Sequence, residues 1–418
     1  MKTFAMMVLG CKVNDYEATY LKNKLLDVYE EKSFKDMADI YVIFTCCVTN
    51  VAEAKTRKMI RHARKLNKDA YIVTIGCLCQ TKPNDDVFNE VDLIIGSKDK
   101  DKAFDYIKER LIKKEITDLN NTQFEELYLD KYPGKSRAYL KVQDGCNQFC
   151  SYCIIPYARG RERSANHLKL LKQAEILSTD FNELVLTGIH TGRYNDGEFN
   201  LYNLLSELNK IENLKTIRLS SIEITEITDE IIELIKKSKK LAHHLHIPVQ
   251  SCSNEILSLM NRPYTIEEFY ERVNYIRQEI PDISISTDLI VGFPNETDEL
   301  FNITLENLKK ISFSFVHVFP YARKTGTKAD KLEGHMNNSI KKERVEAVIE
   351  LQKTITKQFN ASFVGKKLQM LVEKSDDLYI YGYVKQYFYL KVKGNAPVGD
   401  VIDIIIDEVN DEVIGHVA

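Results

Sequence analysis

Short apolar runs at residues 4–9, 40–44 and 71–75 alternate with helical periodicity at 16–29 and 52–66. Runs of this kind read as buried strands and the longer periodic stretches as covering helices. A fourth apolar run at 91–95 and a helical pattern at 101–114 continue the alternation, which predicts an open parallel α/β sheet with both faces covered. Each of the first three runs stops two residues before a cysteine. The polar stretch 118–136, with Asn120-Asn121 and Pro133-Gly134, breaks the rhythm and places a domain boundary near residue 130.

From Arg137 the alternation resumes, with strands expected at 138–142, 184–187, 216–220, 244–249, 283–291 and 315–321. Six such units fall short of a closed eight-stranded barrel, so a partial (β/α)6 barrel is expected, with a doubly wound open sheet as the alternative. A long helical pattern from 338 to about 359 follows. The period then switches to two, at 368–373, 379–384, 387–392, 401–406 and 413–417, which predicts a small all-β barrel. The chain is therefore α/β with three expected domains, 1–130, 131–358 and 359–418.

Composition adds limits. A chain of 418 residues with 44% hydrophobic content can build several cores, and a net charge of -3 gives no global attraction to nucleic acid. No apolar run is long enough to span a bilayer or serve as a secretory leader, so a cytoplasmic protein without membrane association is expected. Nine cysteines in a reducing compartment point to metal ligation or catalysis rather than disulfides.

Six of the nine sort into two sets of three. Cys146, Cys150 and Cys153 form CxxxCxxC directly after an expected strand. Three thiolates on a four-iron cluster leave one iron open, whereas zinc would want a fourth ligand nearby, and the next histidine is the distant His167. Cys11, Cys46 and Cys77 are far apart in sequence but follow successive strands of one parallel sheet. They should emerge at its carboxyl edge, where open α/β sheets bind ligands. A lone cysteine at such a place is usually a small hydrophobe; three in consecutive strands are expected to hold a second cluster. Strand alternation points Cys47 and Cys79 away from that edge, as bystanders.

The segments Leu9-Gly10-Cys11-Lys12-Val13-Asn14, Thr45-Cys46-Cys47-Val48-Thr49, Gly76-Cys77 and Cys146 through Ser164 resemble the radical S-adenosylmethionine methylthiotransferases. The likeness continues through Arg218 to Glu223, Pro248 to Ser251, Thr287-Asp288 and Val291 to Pro294, and the end of the chain is similar to a TRAM barrel. Residues 52–57 and 318–327 look like the branch acting on N6-threonylcarbamoyladenosine at position 37 of tRNA. Cys252 departs from the family pattern, which usually has Gly there, and is expected to crowd the cofactor loop.

The resemblance implies two 4Fe-4S clusters and S-adenosyl-L-methionine. The cluster on Cys146, Cys150 and Cys153 would cleave the cofactor to a radical; that on Cys11, Cys46 and Cys77 would present sulfur, and a second cofactor molecule would supply the methyl group. Because the target carbon carries an unactivated C–H bond, a radical cofactor rather than a side-chain base must do the hard chemistry, and no catalytic side chain is singled out. Tyr152, Thr187, Gly188, Ser220 and Gln250 are expected to contact the cofactor from the barrel mouth.

The partners would be tRNA, an external electron donor and a sulfur source. Arg159, Arg161 and Arg163 near the cluster loop are expected to contact RNA, with Arg57 and Arg61 on a helix that also carries Lys55, Lys58 and Arg64. A solvated helix face is the plain alternative for that second set. Tyrosines between 379 and 389 would either stack on RNA or fill the small barrel. Alternative functions are methylthiolation of isopentenyladenosine or of a ribosomal-protein aspartate, or a non-catalytic iron-sulfur RNA-binding role.

Overall fold

A computed structural model describes residues 2–120 and 122–418; Met1 and Asn121, the latter part of the expected linker, lie outside the described residues. The first sheet comprises β1 (Thr3–Val8), β2 (Glu30–Glu31), β3 (Ile40–Thr45), β4 (Tyr71–Gly76), β5 (Leu93–Ile95) and β6 (Lys113–Glu115), in the order β2-β1-β3-β4-β5-β6. Every pairing is parallel. Helices Lys12–Leu26 and Asn50–Leu66 are among those that cover it. Its central strands β3 and β4 are buried along their whole length, as apolar runs covered on both faces require.

The expected helix 101–114 is corrected. A turn at Lys100–Lys102 and a helix at Ala103–Lys108 give way to β6, which pairs with β5. β6 is Lys-Lys-Glu and β2 is Glu-Glu, so neither carries an apolar pattern. Both are short charged edge strands, a composition that discourages pairing with another chain.

A second parallel array contains β7 (Ala138–Lys141), β10 (Glu183–Thr187), β13 (Thr216–Leu219), β14 (His244–His246), β15 (Ser284–Val291) and β16 (Phe315–Pro320). A small pair, β8 (Gln143–Asp144) with β9 (Arg163–Ser164), closes the cysteine loop, and β11 (Asn195–Asp196) with β12 (Phe199–Asn200) forms a hairpin. The six main strands run as β13-β10-β7 and β14-β15-β16, joined by parallel bridges Ile217 to Leu241 and Ser221 to His246. Sequential order without a reversal is the partial barrel; a doubly wound sheet would reverse direction from its first strand. The helix Asn338–Ala361 leads to β17 (Lys367–Ser375), β18 (Tyr379–Val384), β19 (Tyr389–Lys393), β20 (Val401–Val409) and β21 (Val413–Val417), a closed barrel of the kind the TRAM resemblance implies.

On β18, Ile380, Gly382 and Val384 face the small core, while Tyr379, Tyr381 and Tyr383 alternate outward. Of the aromatic group only Phe388 joins that core. Tyr383 and Tyr387 are docking residues: Arg137 lies over the Tyr383 ring at 5.5 Å and Arg218 over Tyr387 at 4.7 Å. Arg218 also donates to the Lys385 carbonyl at 3.0 Å, so the barrel is fastened to the N-terminal ends of the main strands.

Between the first two sheets lies a buried ion cluster. Glu17, from the helix after Cys11, meets Arg159 Nη1 at 2.6 Å and Lys141 Nζ at 2.7 Å; Asp144 meets Lys141 at 2.8 Å and Arg163 at 3.2 Å. Lys100 Nζ stands 3.4 Å from Glu17. Burial alone would raise the Glu17 value, but Arg159, Lys100 and Lys141 outweigh it and hold the carboxyl at about 2. A depressed carboxylate value means that its contribution to stability is present above the ordinary value of 4.5 and is lost as pH falls toward about 2. Glu17→Ala would strand several buried cations and should cost about 3–5 kcal/mol. Denaturant unfolding of the anaerobically purified protein measures that loss, and the difference from wild type should shrink as the pH is lowered below about 4.5.

Candidate cluster and cofactor site

The parallel register does what the sequence left to inference. Thr45 pairs with Gly76, so Cys46 and Cys77 leave the sheet side by side, and Leu9 N donates to the Phe44 carbonyl at 3.0 Å, bringing Cys11 to the same edge. Convergence is felt electrostatically: after burial, the Cys77 and Cys11 sulfurs are among the causes that raise Cys46, to about 11. Gly10 makes the approach possible. It sits at φ +105°, and a Cβ there would stand 3.0 Å from the Cys46 Cβ.

Cys79 is a buried neighbour, 3.6 Å from the Thr45 hydroxyl. Cys47 is corrected. It is buried in one apolar cluster with Cys77 and Cys79 rather than set apart from them, and Cys77 is lowered to about 6, with the neighbouring Cys47 thiol first among the causes and Arg159 assisting against burial. The chain turns out of the strand ladder after Thr45, so strict alternation no longer applies at Cys47.

The second triad occupies the loop between β8 and β9. Cys146 N donates to the Gly160 carbonyl at 3.0 Å, and a Cβ on Gly145 would lie 2.0 Å from the Arg161 carbonyl oxygen, so only glycine allows this closure. Phe149, between the first two cysteines, is held at φ 48°, a conformation that costs energy for a non-glycine residue. Cationic groups attend the sulfurs: Arg262 Nη1 is 3.4 Å from Cys150 Sγ, and His190 Nδ1 is 3.4 Å from Cys146 Sγ. His190 Nε2 is in turn held 2.8 Å from Glu226. Arg159 Nε plays the same part toward Cys77, at 3.2 Å.

Between the two cysteine loops lies a cavity of about 270 Å³. Val48 and Thr49 enter its wall from the N-terminal sheet, Tyr152 and Cys153 from the second loop, and Gln250, Asp288 and Lys324 from the partial barrel. Of the expected cofactor residues, Tyr152 and Gln250 line it. Thr187, Gly188 and Ser220 sit at strand ends outside its lining, Ser220 facing Thr191 at 3.2 Å and Gly188 packed on Gln143. Cys252 does not crowd the cavity; it is buried in the apolar core of the partial barrel.

The arginines expected at RNA divide. Arg159 is fully buried in the ion cluster, and Arg163 is pinned to Asp144 and the Arg159 carbonyl, so neither is free to meet a phosphate. Arg57 is engaged with Asp85 at 2.6 Å, and Arg64 caps the carbonyls of Lys68 and Ala70. Arg161 is exposed over the Phe149 ring at 4.6 Å, and Arg61 shares an exposed face with Lys55 and Lys58. Sequence reasoning passed over Glu17, His190 and Lys324 as site residues, because their partners come from distant segments.

The chain matches the radical SAM superfamily over residues 140–308 and the uncharacterized protein family UPF0004 over residues 3–96. It is 38% identical to a threonylcarbamoyladenosine tRNA methylthiotransferase of Bacillus subtilis, over 97% of this chain and 94% of that protein. To the enzyme of that name from Aquifex aeolicus it is 40% identical, over 96% of this chain and 99% of the relative. The chain belongs to the radical S-adenosylmethionine methylthiotransferases. A tRNA-2-methylthio-N(6)-dimethylallyladenosine synthase of Thermodesulfovibrio yellowstonii is 32% identical over 97% of this chain and 95% of the relative. Among solved structures, the radical S-adenosylmethionine methyltransferase TsrM from Kitasatospora setae shares the fold at a TM-score of 0.57 and 15% identity, over 79% of this chain and 77% of that one.

The donor sets of this methylthiotransferase fit clusters better than single ions. Among the described residues, the only three potential ligands within 4.8 Å of one another are Cys146, Glu162 and His190. Neither cysteine triad is drawn into the tight four-ligand cage that zinc requires, and each consists of three thiols with basic groups beside them. Gly145→Ala tests the loop closure. It should abolish loading of one cluster, lowering iron and sulfide by about half while leaving the other signal in place, as read by metal analysis and absorbance of the anaerobic protein.

Proposed function

We propose that this enzyme methylthiolates C2 of N6-threonylcarbamoyladenosine at position 37 of tRNA. The observation that carries the reading is the cavity walled by both cysteine loops, where a base could meet a radical source and a sulfur source at once. Cys146, Cys150 and Cys153 are assigned to one 4Fe-4S cluster, and Cys11, Cys46 and Cys77 to the other. When bound, the clusters and S-adenosylmethionine supply the deoxyadenosyl radical and the sulfur that the protein cannot provide.

The chain's own residues hold and shield that chemistry. Arg159, Arg262 and His190 place side-chain nitrogens on Cys77, Cys150 and Cys146, where they orient the sulfurs and would offset the negative charge of a bound cluster. Ile154, Ile155, Ile290 and Phe319 give the cavity apolar walls that limit water. Tyr152 and Gln250 are the chain's contacts for the cofactor. The exposed Arg161, Arg61, Lys55 and Lys58 are the proposed phosphate contacts, with an electron donor and a sulfur source as outside partners.

The choice of base rests on a tertiary contact as well as on the relatives' names. The two segments that look like the threonylcarbamoyladenosine branch meet across the cavity: Lys324 Nζ bonds Glu53 at 2.8 Å and Asn50 at 3.0 Å. Among the described residues no helix is long and apolar enough to cross a membrane, which agrees with a role on tRNA.

Deletion of the gene should remove 2-methylthio-N6-threonylcarbamoyladenosine from digested tRNA, with the unthiolated nucleoside accumulating; loss of the isopentenyl analogue instead would reassign the substrate. Cys11→Ala and Cys146→Ala should each lose one cluster. Of the two, only Cys11→Ala should still form deoxyadenosine from S-adenosylmethionine under reducing conditions. A protein that binds clusters yet never cleaves the cofactor would be an electron carrier or binding module.

A further inference from the structure

The interior of the partial barrel is polar along one line. Period two puts His244 and His246 on one face of β14 and Ser284, Ser286 and Asp288 on the matching face of β15, with His246 in register with Ser286. His244 Nε2 lies 2.8 Å from Ser286 Oγ, His246 Nδ1 lies 2.9 Å from the same oxygen, and His246 Nε2 stands 3.2 Å from Asp288 Oδ2. Asp288 is the one carboxylate lining the upper cavity, between the cysteine loops. At the other end, His244 and Ser286 line a second cavity, of about 310 Å³, where the C-terminal barrel covers the strand N-termini. His244 Nδ1 is buried there without a protein partner.

We infer that Asp288, His246, Ser286 and His244 form a proton relay that carries the proton released by sulfur methylation out of the upper cavity to the lower one. The inference rests on the methylthiotransferase reading, but not on the identity of the RNA base. With hydrosulfide as the sulfur source, the new S–CH3 bond forms as the bond from the methyl to the sulfonium breaks. Hydrosulfide and S-adenosylmethionine give methanethiolate, S-adenosylhomocysteine and one proton, and no electron is gained or lost.

Asp288 takes the proton and passes it to His246 Nε2; His246 releases its Nδ1 proton to Ser286 Oγ, the hydroxyl gives its own to His244 Nε2, and His244 Nδ1 discharges into the lower cavity. One proton enters the chain and one leaves. Each link is a group that both donates and accepts, which is what a relay requires. The cavity's other charged wall residue, Lys324, is tied to Glu53 and is no acceptor.

The surroundings keep the relay from trapping a proton. His244 stacks on Tyr387 at 4.6 Å, and burial, then Arg218, His246, Lys12 and His317, hold its value well below the ordinary one, so it stays neutral. Arg218 is itself paired with Glu183. His317, from β16, lies 5.8 Å from His246 ring to ring and is likewise lowered, by burial above all.

Ser286→Ala cuts the chain at its middle without adding charge. Holoenzyme given S-adenosylmethionine and hydrosulfide, without tRNA, should form S-adenosylhomocysteine about 100-fold more slowly in the variant, and the solvent deuterium effect on that step should grow as proton removal becomes limiting. Deoxyadenosine formation under a reductant, which releases no proton, is the internal reference, and Ser286→Thr should restore the rate. In the full chain, nitrogen NMR of histidine should show His244 neutral near pH 7 and the His246 Nδ1 signal displaced in Ser286→Ala. Unchanged S-adenosylhomocysteine formation, an equal loss of both products, or a charged His244 would overturn the relay. Failure of the enzyme reading would instead show as no cofactor cleavage in the wild type.

Discussion

The organisation of this protein hangs on Glu17 being paired in a place shut off from bulk solvent. Its carboxylate binds Arg159 and Lys141 while all three side chains are fully buried. Arg159 reaches from there to Cys77, and Lys141 to Asp144 at the foot of the second cysteine loop. Such charges are costly to bury and tolerable only when every partner is in position. The same contacts therefore tie the sheet that carries one cysteine triad to the loop that carries the other. A network of this sort specifies geometry more than it adds net stability, and geometry is what two converging metal sites demand.

Three kinds of local constraint then refine the site. Glycines at 10 and 145 let backbone and sulfur approach where a Cβ would collide. Basic donors at Arg159, Arg262 and His190 meet one sulfur each. The Lys324 to Glu53 pair draws the end of the partial barrel onto the N-terminal sheet, so the cavity between the loops has walls from both. The C-terminal barrel contributes from the far side. Its tyrosines dock on Arg137 and Arg218 and cover the strand N-termini, so that part of its aromatic surface serves attachment.

The expectations that failed did so for related reasons. Arg159 and Arg163 lie beside a cluster motif and are basic, which reads as a phosphate-binding pattern, but their acids come from residues 17 and 144. Arg57 similarly meets Asp85, which lies beyond β4 in the chain. The charged strand β6 has no apolar alternation to reveal it, and Cys47 escapes the strand rule because the ladder ends at Thr45. For the arginines a local pattern was read correctly and a distant partner reversed its meaning, whereas β6 and Cys47 lie where the periodic pattern itself gives out.

The sequence by itself determined the two triads, the parallel α/β alternation, the sequential barrel strands and the period-two barrel at the end. Each of these is written in spacing that the 3.6 and 2.0 residue periods of backbone geometry make readable. Tertiary structure alone decided which arginines are free, which thiol leans on Cys77, where the cavity lies, and that a line of imidazole and hydroxyl groups crosses the barrel interior. Those outcomes depend on burial and on pairs between residues far apart in the chain, and a charge or a hydroxyl acquires its role only from what stands within a few ångströms of it once the chain has folded.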